Sequence, residues 1–525
     1  MTANEQSNPS EIIGVVGAGA MGGGIAQLFS VAGYQTHLYD ASAGAAEDSI
    51  RRTEHLLRRR FEQGKSDSQA LDAFRKNASV VQSLGDLQEA TIVFEAIIED
   101  LEAKRNLFHQ LEEVVSRTCV IATNTSSLLL TSISAQMKHM ERALGAHFFN
   151  PVPLIPIAEV ITTARTSQVA RDRLITAIRA TGHRAVPVAD SPGFLVNHAG
   201  RGLYTEGASI VQDGVTDPKT VDRILSGAIG FKMGPFRLFD LTGLDVSFPV
   251  LEMIYHGFYQ EPRFRPASFL KQRFEAGLFG RKSGEGFYRY PEDEADQVGA
   301  QRQARAEPAR EVYMPASALA RFEWVKPWLT ERGVTIRKAP FKSKDGLNLI
   351  APIGTDATTE ATDLGLPLNN TVAFDPVVPE PREATLMATI GTEDRWLHVA
   401  CSTVRPKNGG VSVIEDSPGF VVQRVIASIV NIGCDIAQQR IARPQDIDDA
   451  VRIGLNYPMG PLSLGDRFSP SLICEILDAL HVQTGDPRYR VSLWLRRRAL
   501  AGKSLLHMRP RAAAAMGESV REEAG

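Results

Sequence analysis

The sequence is poor in the features that would staple, anchor or charge a protein. Its 525 residues include four cysteines, Cys119, Cys401, Cys434 and Cys474, far apart and with no Cys-x-x-Cys pair. That spacing excludes a disulfide framework and a cysteine-based zinc site, no metal is expected, and the usage fits a reducing, cytoplasmic compartment. No run of 18 apolar residues occurs, so no membrane span is expected. The opening MTANEQSNPS lacks the basic and apolar regions of a signal peptide. A formal net charge of −3 supplies no basic field and argues against a nucleic-acid partner. What remains, 43% hydrophobic and 23% charged residues, is the composition of a globular chain of about three domains.

Alternation of short apolar runs and amphipathic stretches dominates the first third. IIGVV at 12–16 leads into a glycine loop and a helix-like IAQLFSVAG, and a second strand at 35–39 ends on Asp40. Ile50, Leu57 and Phe61 place one apolar face on a helix over 44–63. TIVFEAI at 91–97 and VIATN at 120–124 read as buried strands, with Leu101, Lys104, Phe108, Leu111 and Val115 at helical spacing between them. Strands alternating with helices predict a doubly wound parallel sheet of Rossmann type over residues 1–189. From 190 the pattern becomes mainly helical, and Asp190-Ser191-Pro192 reads as a helix start. Residues 291–310 read as a linker, and 311–410 as a poorly legible, degenerate α/β region, so that 291–410 separates two helical domains.

Those two domains are copies. DSPGF occurs at 190–194 and again at 416–420. Asp222 and Asp448, Gly234 and Gly460, Pro235 and Pro461, and Asp240 and Asp466 keep the same offset of 226. A first helical domain at 190–290 and its duplicate within 411–525 follow.

Gly17-x-Gly19-x-x-Gly22, with Ala20 and Met21 between its last glycines, follows a strand and opens a helix, the setting of a dinucleotide fingerprint. Asp40, at the end of the next strand, is placed to accept from ribose hydroxyls and to repel a 2′-phosphate, which favours NAD over NADP. His147, in HFFNP, and Glu159 twelve residues later can form a general base with its orienting carboxylate if the side chains meet. On spacing alone, a buried structural histidine and a surface glutamate are the simpler account.

Together, GAGAMGGGIAQ, EAIIEDLEAK, NTSS, GAHFFNPVP, DSPGFLVN and MGPFRLFD resemble the 3-hydroxyacyl-CoA dehydrogenases, in that family's order and over residues 12–290. The second DSPGF and NYPMGP resemble the long bacterial forms with an added C-terminal domain, which act on 3-hydroxyadipyl-CoA or 3-hydroxybutyryl-CoA in aromatic-acid and short-chain acyl-CoA catabolism. The resemblance implies NAD as cofactor and an acyl-CoA substrate. His147 would be the base and Glu159 its orienter, Ser126 would bond the reacting oxygen, and Asn197 would place the substrate or polarise it near the thioester. Glu99, Lys104, Asn150 and Lys282 would contact NAD, and Ser49 the substrate. Single-copy relatives dimerise through the helical domain, so the two copies are expected to pair within one chain, which leaves room for a homodimer through other surfaces.

The chain departs from the family pattern in several places. Ile155 and Pro156 replace a methionine and a lysine beside the base, His198 replaces a basic residue after Asn197, and Leu56 stands where a substrate-binding lysine is expected. RRTEHLLRRR at 51–60 invites a role in binding CoA phosphates; a solvated helix face is the alternative. Gln423 replaces Asn197 in the second copy, and 311–410 has neither GxGxxG nor HFFNP, so one active site is expected. A dehydrogenase of free hydroxy or sugar acids and a non-catalytic NAD-binding protein stay open as rival readings.

Overall fold

The computed structural model describes residues 11–65, 67–294, 306–342 and 345–508, so the polar opening and residues 295–305 of the expected linker lie outside the described residues. The chain forms two compact units: residues up to Val196 with Arg440–Leu455, and Asn197–Gln439 with the residues from Asn456 onward. Among the described residues no helix is long and apolar enough to cross a membrane.

The first unit is built on β1 (Ile12–Val16), β2 (Gln35–Tyr39), β3 (Ala78–Val80), β4 (Ile92–Glu95), β5 (Val120–Thr123), β6 (Ala143–Phe148), β7 (Ile157–Thr162) and β8 (Arg184–Ala189), in the order β3-β2-β1-β4-β5-β6-β7-β8. Helices α1 (Ala20–Val31), α2 (Ala45–Glu62), α3 (Ser68–Asn77), α4 (Leu101–Val114), α5 (Leu130–Ser134) and α6 (Gln168–Ala180) connect them. β4 and β5 are buried along their whole length, as their unbroken apolar runs require of strands covered on both faces. Phe94 packs between Phe29, tilted against it at 4.9 Å between ring centroids, and Phe148, edge-to-face at 5.9 Å.

Two expectations need correction here. Strands β3 to β6 are parallel and β8 is parallel to β7, but β7 runs antiparallel to β6, because residues 149–156 are too few for the crossover that a parallel partner demands. On α2, Leu57 is buried against Leu71 and Phe74, but Phe61, on the last turn, is 47% exposed and lies outside that core.

The second unit contains its own sheet, which spans 311–414 and so fills the region 311–410 that the sequence marked as α/β. β9 (Glu311–Tyr313), β10 (Thr335–Arg337), β11 (Leu347–Ile350), β12 (Thr371–Phe374), β13 (Glu383–Ala388) and β14 (Gly410–Ile414) lie in the order β10-β9-β11-β12-β13-β14. Its last four strands repeat the end of the first sheet. β12 and β13 are antiparallel and β13 and β14 parallel, as are β6 with β7 and β7 with β8. β13 begins 226 residues after β7 and β14 begins 226 after β8, the spacing of the DSPGF copies. The internal repeat therefore reaches back to about β5, well ahead of residue 190.

The first DSPGF does not start a helix, whereas in the second copy a helix follows directly with Phe420 as its N-cap. Gly193 and Phe194 have φ of +72° and +49°, and α7 (Val196–Gln212) begins only after them. Asp190 caps a different helix, accepting from the Leu130 and Thr131 N–H groups of α5 at 3.0 and 2.8 Å. Asp416 does the same for the helix Ala357–Asp363, accepting from Ala357 N at 2.8 Å and from Thr358 N. A short carboxylate can saturate the orphan N–H groups of a helix start without belonging to that helix. Asp222 and Asp240 also bind backbone. Asp222 accepts from Phe236 N and Arg237 N and from the Tyr288 hydroxyl, and Asp240 from Phe287 N and Tyr288 N.

Within the second unit the two helical copies touch. A Cβ on Gly202 of α7 would stand 2.6 Å from the Ile429 Cα, so α7 and the helix Val421–Gln438 meet backbone to backbone. Arg265 pairs with Asp486, and Arg490 pairs with Glu261 at 2.6 Å; the two acids head equivalent turns, Pro262–Phe264 and Pro487–Tyr489. Arg424 bonds Glu206 at 2.7 Å and Asp213 at 2.8 Å. Each unit also carries one strand-end bond between copies: Ala189 N donates to Ile441 O in the first, and Glu415 N to Val215 O in the second.

Candidate active site

The glycine loop lies between β1 and α1. Gly17 has φ +104°, and a Cβ there would stand 2.5 Å from the Ala96 carbonyl oxygen; one on Gly22 would stand 1.8 Å from the Gly17 oxygen. Among the described residues nothing lies within 4 Å of the place a Gly19 side chain would fill, and no side chain caps α1. The head of α1 beside Ala20 and Met21 thus offers bare N–H groups to an anion, which fits a pyrophosphate. Asp40 is tied to this loop, its oxygens accepting from Ala18 N at 2.7 Å and Ser42 N at 2.8 Å. Its remaining lone pairs suit ribose hydroxyls.

His147 and Glu159 face one another across β6 and β7, and Nδ1 lies 2.5 Å from Oε2. Antiparallel register brings together two residues that the sequence only spaced apart. Glu159 is fully buried, and its Oε1 accepts from Leu195 N and Val196 N at 2.9 and 2.8 Å. The turn after DSPGF therefore fixes the carboxylate that fixes the imidazole. Phe149 and Phe194 flank the His147 ring at 4.6 and 5.9 Å.

Ser126 sits in the NTSS turn after β5, and Glu99 organises that turn. Its Oε1 accepts from Thr125 Oγ1 at 2.6 Å, Ser126 N at 2.9 Å, Ser127 N at 3.0 Å and Ser127 Oγ at 2.7 Å. Burial pushes the Glu99 carboxyl up, but these bonds and the Lys104 charge outweigh it and hold the group below the usual carboxylate range. Lys104 is 1% exposed, with Nζ 2.6 Å from Glu95 and 3.3 Å from Glu99. In this arrangement it touches the site through Glu99. Sequence reasoning missed Glu95, which also accepts from Thr123 Oγ1 at 2.6 Å, and Asn124, whose Oδ1 accepts from Phe148 N at 2.9 Å beside the base. A glutamate ending a buried strand was the available signal for Glu95.

Ser49 and Asn150 line a cavity of about 990 Å3 in the first unit, shared with Gly19 and Ala20; Pro156, one of the departures noted above, is on its wall. Asn197 and Lys282 belong to the second unit. Asn197 is half-buried on the first turn of α7, its carbonyl accepting from Arg201 Nε at 2.7 Å. Lys282 is exposed and paired with Asp245.

The model of the 3-hydroxyacyl-CoA dehydrogenase NAD binding domain matches residues 12–191, and that of the 3-hydroxyacyl-CoA dehydrogenase C-terminal domain matches 193–290 and again 419–505. The chain belongs to the 3-hydroxyacyl-CoA dehydrogenase family. It is 33% identical over 491 residues to 3-hydroxyadipyl-CoA dehydrogenase of Escherichia coli, covering 93% of this chain and 98% of that one. It is 35% identical over 278 residues to a probable 3-hydroxybutyryl-CoA dehydrogenase of Bacillus subtilis, covering 53% of this chain and 96% of that one. The crystal structure of 3-hydroxybutyryl-CoA dehydrogenase from Escherichia coli superposes with a TM-score of 0.82 at 31% identity, over 94% of this chain and 98% of that one. The protein is an NAD-dependent enzyme that oxidises a 3-hydroxyacyl-CoA.

In the dehydrogenase's second sheet, different chemistry fills the matching positions. Thr385 lies 226 residues after Glu159 on β13, and opposite it Asp375 donates its backbone N–H to the Thr385 carbonyl at 3.1 Å. Gln423, the counterpart of Asn197, is fully buried; Nε2 donates to Asp375 Oδ1 at 3.0 Å and Pro352 O at 3.1 Å, and Oε1 accepts from Gly354 N at 2.8 Å. Burial raises the Asp375 carboxyl to about 6. No histidine stands there, and the polar groups satisfy one another.

Proposed function

We propose that this dehydrogenase oxidises the (S)-3-hydroxyacyl-CoA of a short or dicarboxyl chain, with His147 as its base. The observation that carries the assignment is the buried Glu159 carboxylate 2.5 Å from His147 Nδ1. Held to Glu159, Nδ1 keeps its proton, and Nε2 is left to accept the proton of the C3 hydroxyl. The positive charge that builds on the ring is offset by the carboxylate behind it. Ser126 Oγ donates to the same reacting oxygen, and Asn197 orients the thioester. The glycine loop and Asp40 hold NAD, with Glu99, Asn150 and Lys282 as further contacts; bound NAD supplies the hydride acceptor.

The chain-length reading is supported by the relatives, which are named for 3-hydroxyadipyl-CoA and 3-hydroxybutyryl-CoA. Initial rates of NADH formation on 3-hydroxybutyryl-CoA, 3-hydroxyadipyl-CoA and long-chain 3-hydroxyacyl-CoAs test it, with the free hydroxy acids as controls. A preference for long chains overturns the chain-length part, and activity on free acids alone overturns the substrate class.

The working division is a cofactor domain over 1–189, helical domains over 190–290 and 411–525, and a non-catalytic α/β region within 291–410. The two helical copies act as an intramolecular pseudo-dimer, a reading supported by the reciprocal pairs Arg265–Asp486 and Arg490–Glu261. The chain has one active site, since Asp375, Thr385 and Gln423 replace the reacting groups. A cytoplasmic setting in aromatic-acid catabolism agrees with the cysteine usage and with the 3-hydroxyadipyl-CoA relative.

A further inference from the structure

Among the described residues five arginines are buried, and four of them meet a carboxylate. Arg142 faces Glu112 at 3.7 Å, Arg263 pairs with Asp435, Arg424 lies 2.7 Å from Glu206, and Arg488 lies 3.3 Å from Asp486. Arg201, 5% exposed on α7, meets none. Taking a guanidinium out of water without a counter-charge is costly, so Arg201 marks a place that an anion would complete.

The surroundings of Arg201 are rings and hydroxyls. Its Nε donates to the Asn197 carbonyl at 2.7 Å, so the side chain folds back along α7 toward the helix start, and Cζ stands 5.1 Å from the centroid of the Tyr204 ring. A ring face offsets part of the charge but accepts nothing in the guanidinium plane, and Nη1 and Nη2 have no acceptor among the described residues. Tyr204 and Tyr457 are the ionisable side chains that act on this guanidinium. Tyr457, between the helices Pro444–Gly454 and Pro461–Phe468, is 4% exposed, and its hydroxyl has no hydrogen-bond partner among the described residues.

The internal repeat supplies a comparison. At the offset of 226, Asn197 corresponds to Gln423, Arg201 to Ala427 and Tyr457 to Phe231. Alanine and phenylalanine fill the equivalent positions, so this packing does not itself require the guanidinium or the hydroxyl. The charge accompanies Asn197, one turn earlier on the same helix face, which orients the thioester in the reading above. Four residues advance about 6 Å along a helix, about the reach of a six-carbon chain. A planar fork with a phenol beside it is the donor set for a carboxylate.

Resting on the acyl-CoA reading above, we propose that Arg201 and the Tyr457 hydroxyl bind the second carboxylate of a dicarboxyl 3-hydroxyacyl-CoA. A chain ending in methyl leaves the buried charge unmatched, so the same pair selects against it.

The test compares 3-hydroxyadipyl-CoA with 3-hydroxyhexanoyl-CoA on the full-length protein; both chains have six carbons, and one ends in carboxylate where the other ends in methyl. The unmodified enzyme should favour the dicarboxyl substrate. Arg201→Met, which keeps the length of the stem, should raise KM for that substrate by about 10- to 100-fold, the worth of a charge-assisted contact, with little change for the hexanoyl substrate. Arg201→Lys should recover part of the loss. Tyr457→Phe should lower the ratio of the two kcat/KM values by about 3- to 10-fold, and it reads the same ratio should Arg201→Met not fold. A purely structural Arg201 would move both substrates together. An unchanged ratio in the variants, or no dicarboxyl preference in the unmodified protein, overturns the assignment. Failure to turn over any 3-hydroxyacyl-CoA would strike the proposed function instead. Calorimetric titration with adipyl-CoA and hexanoyl-CoA, which lack the reacting hydroxyl, would then still decide Arg201, and equal affinities would overturn its role.

Discussion

Glu159 stands opposite His147 in the antiparallel pair of β6 and β7 and divides its two oxygens between the base and the backbone. Oε2 lies 2.5 Å from His147 Nδ1, while Oε1 accepts from the N–H groups of Leu195 and Val196. The segment after DSPGF thus anchors the carboxylate that holds the His147 imidazole.

Replacing the base separates chemistry from binding. His147→Ala should lower kcat by about 10²- to 10⁴-fold while NAD affinity, measured by fluorescence titration, stays near normal. Near-normal kcat would remove His147 from the mechanism.

The divided role of Glu159 predicts two different phenotypes. Glu159→Gln keeps an oxygen for the backbone N–H groups but loses the counter-charge, so kcat should fall with little change in urea stability. Glu159→Ala also strands the buried Leu195 and Val196 donors and should cost about 1–3 kcal/mol of stability. Equal stability of the two variants would contradict this division.

Asp40 is fixed at the glycine loop by Ala18 N and Ser42 N, and in the proposed reading its remaining charge meets the ribose hydroxyls of NAD. The unmodified enzyme should prefer NAD, and Asp40→Ala should narrow the gap in kcat/KM by removing repulsion of a 2′-phosphate. Equal use of NAD and NADP by the unmodified protein would sink this reading.

His198 makes the protein acid-sensitive. Burial, helped by the charges of Arg201 and Arg263, pushes its imidazole down to about 3, and among the described residues neither ring nitrogen has a hydrogen-bond partner between the Phe258 and Phe264 rings. In the unfolded chain a histidine titrates near 6.5. Below that pH the unfolded state takes up a proton that the folded state refuses, so stability falls as pH drops from 6.5 toward 3. His198→Leu should remove this slope, gaining about 2 kcal/mol at pH 5 relative to pH 8. Urea denaturation at both pH values measures it, and parallel pH profiles for the two proteins would refute it.

Deleting 411–525 should damage both units. The deletion removes Asp446 and Asp449, which bond Arg184 at 2.9 and 2.7 Å in the first unit. In the second it uncovers the α7 backbone around Gly202. Light scattering should find dimers or aggregates, since a tethered copy no longer supplies the partner surface at high effective concentration. A monomeric truncation of full stability would contradict the pseudo-dimer.

Much of the fold was legible because its signals are local. Burial on both faces makes β4 and β5 largely apolar runs, and Gly22 is forced by the Gly17 carbonyl within the same loop, whereas Gly17 is forced by the distant Ala96 carbonyl. Six short strands in the second unit were harder to read: several are only three or four residues long, too short for a period of two to stand out. DSPGF misled because its aspartate caps a helix sixty residues earlier in the first copy, and local capping rules assume that cap and helix are neighbours.

By itself, the sequence determined the alternation of strand and helix, the glycine loop, the repeat at an offset of 226 and, through joint motifs, the family. Each depends on residues close in the chain or on one segment matched to another. Only the tertiary structure decided that His147 meets Glu159, that Glu99 gathers the NTSS turn, that Lys104 turns inward to Glu95, and that Arg60 instead of Arg59 reaches the cavity. Those outcomes depend on strand register and on the rotation of α2 about its axis. Packing of distant segments sets both, and neither leaves a mark at fixed spacing in the chain.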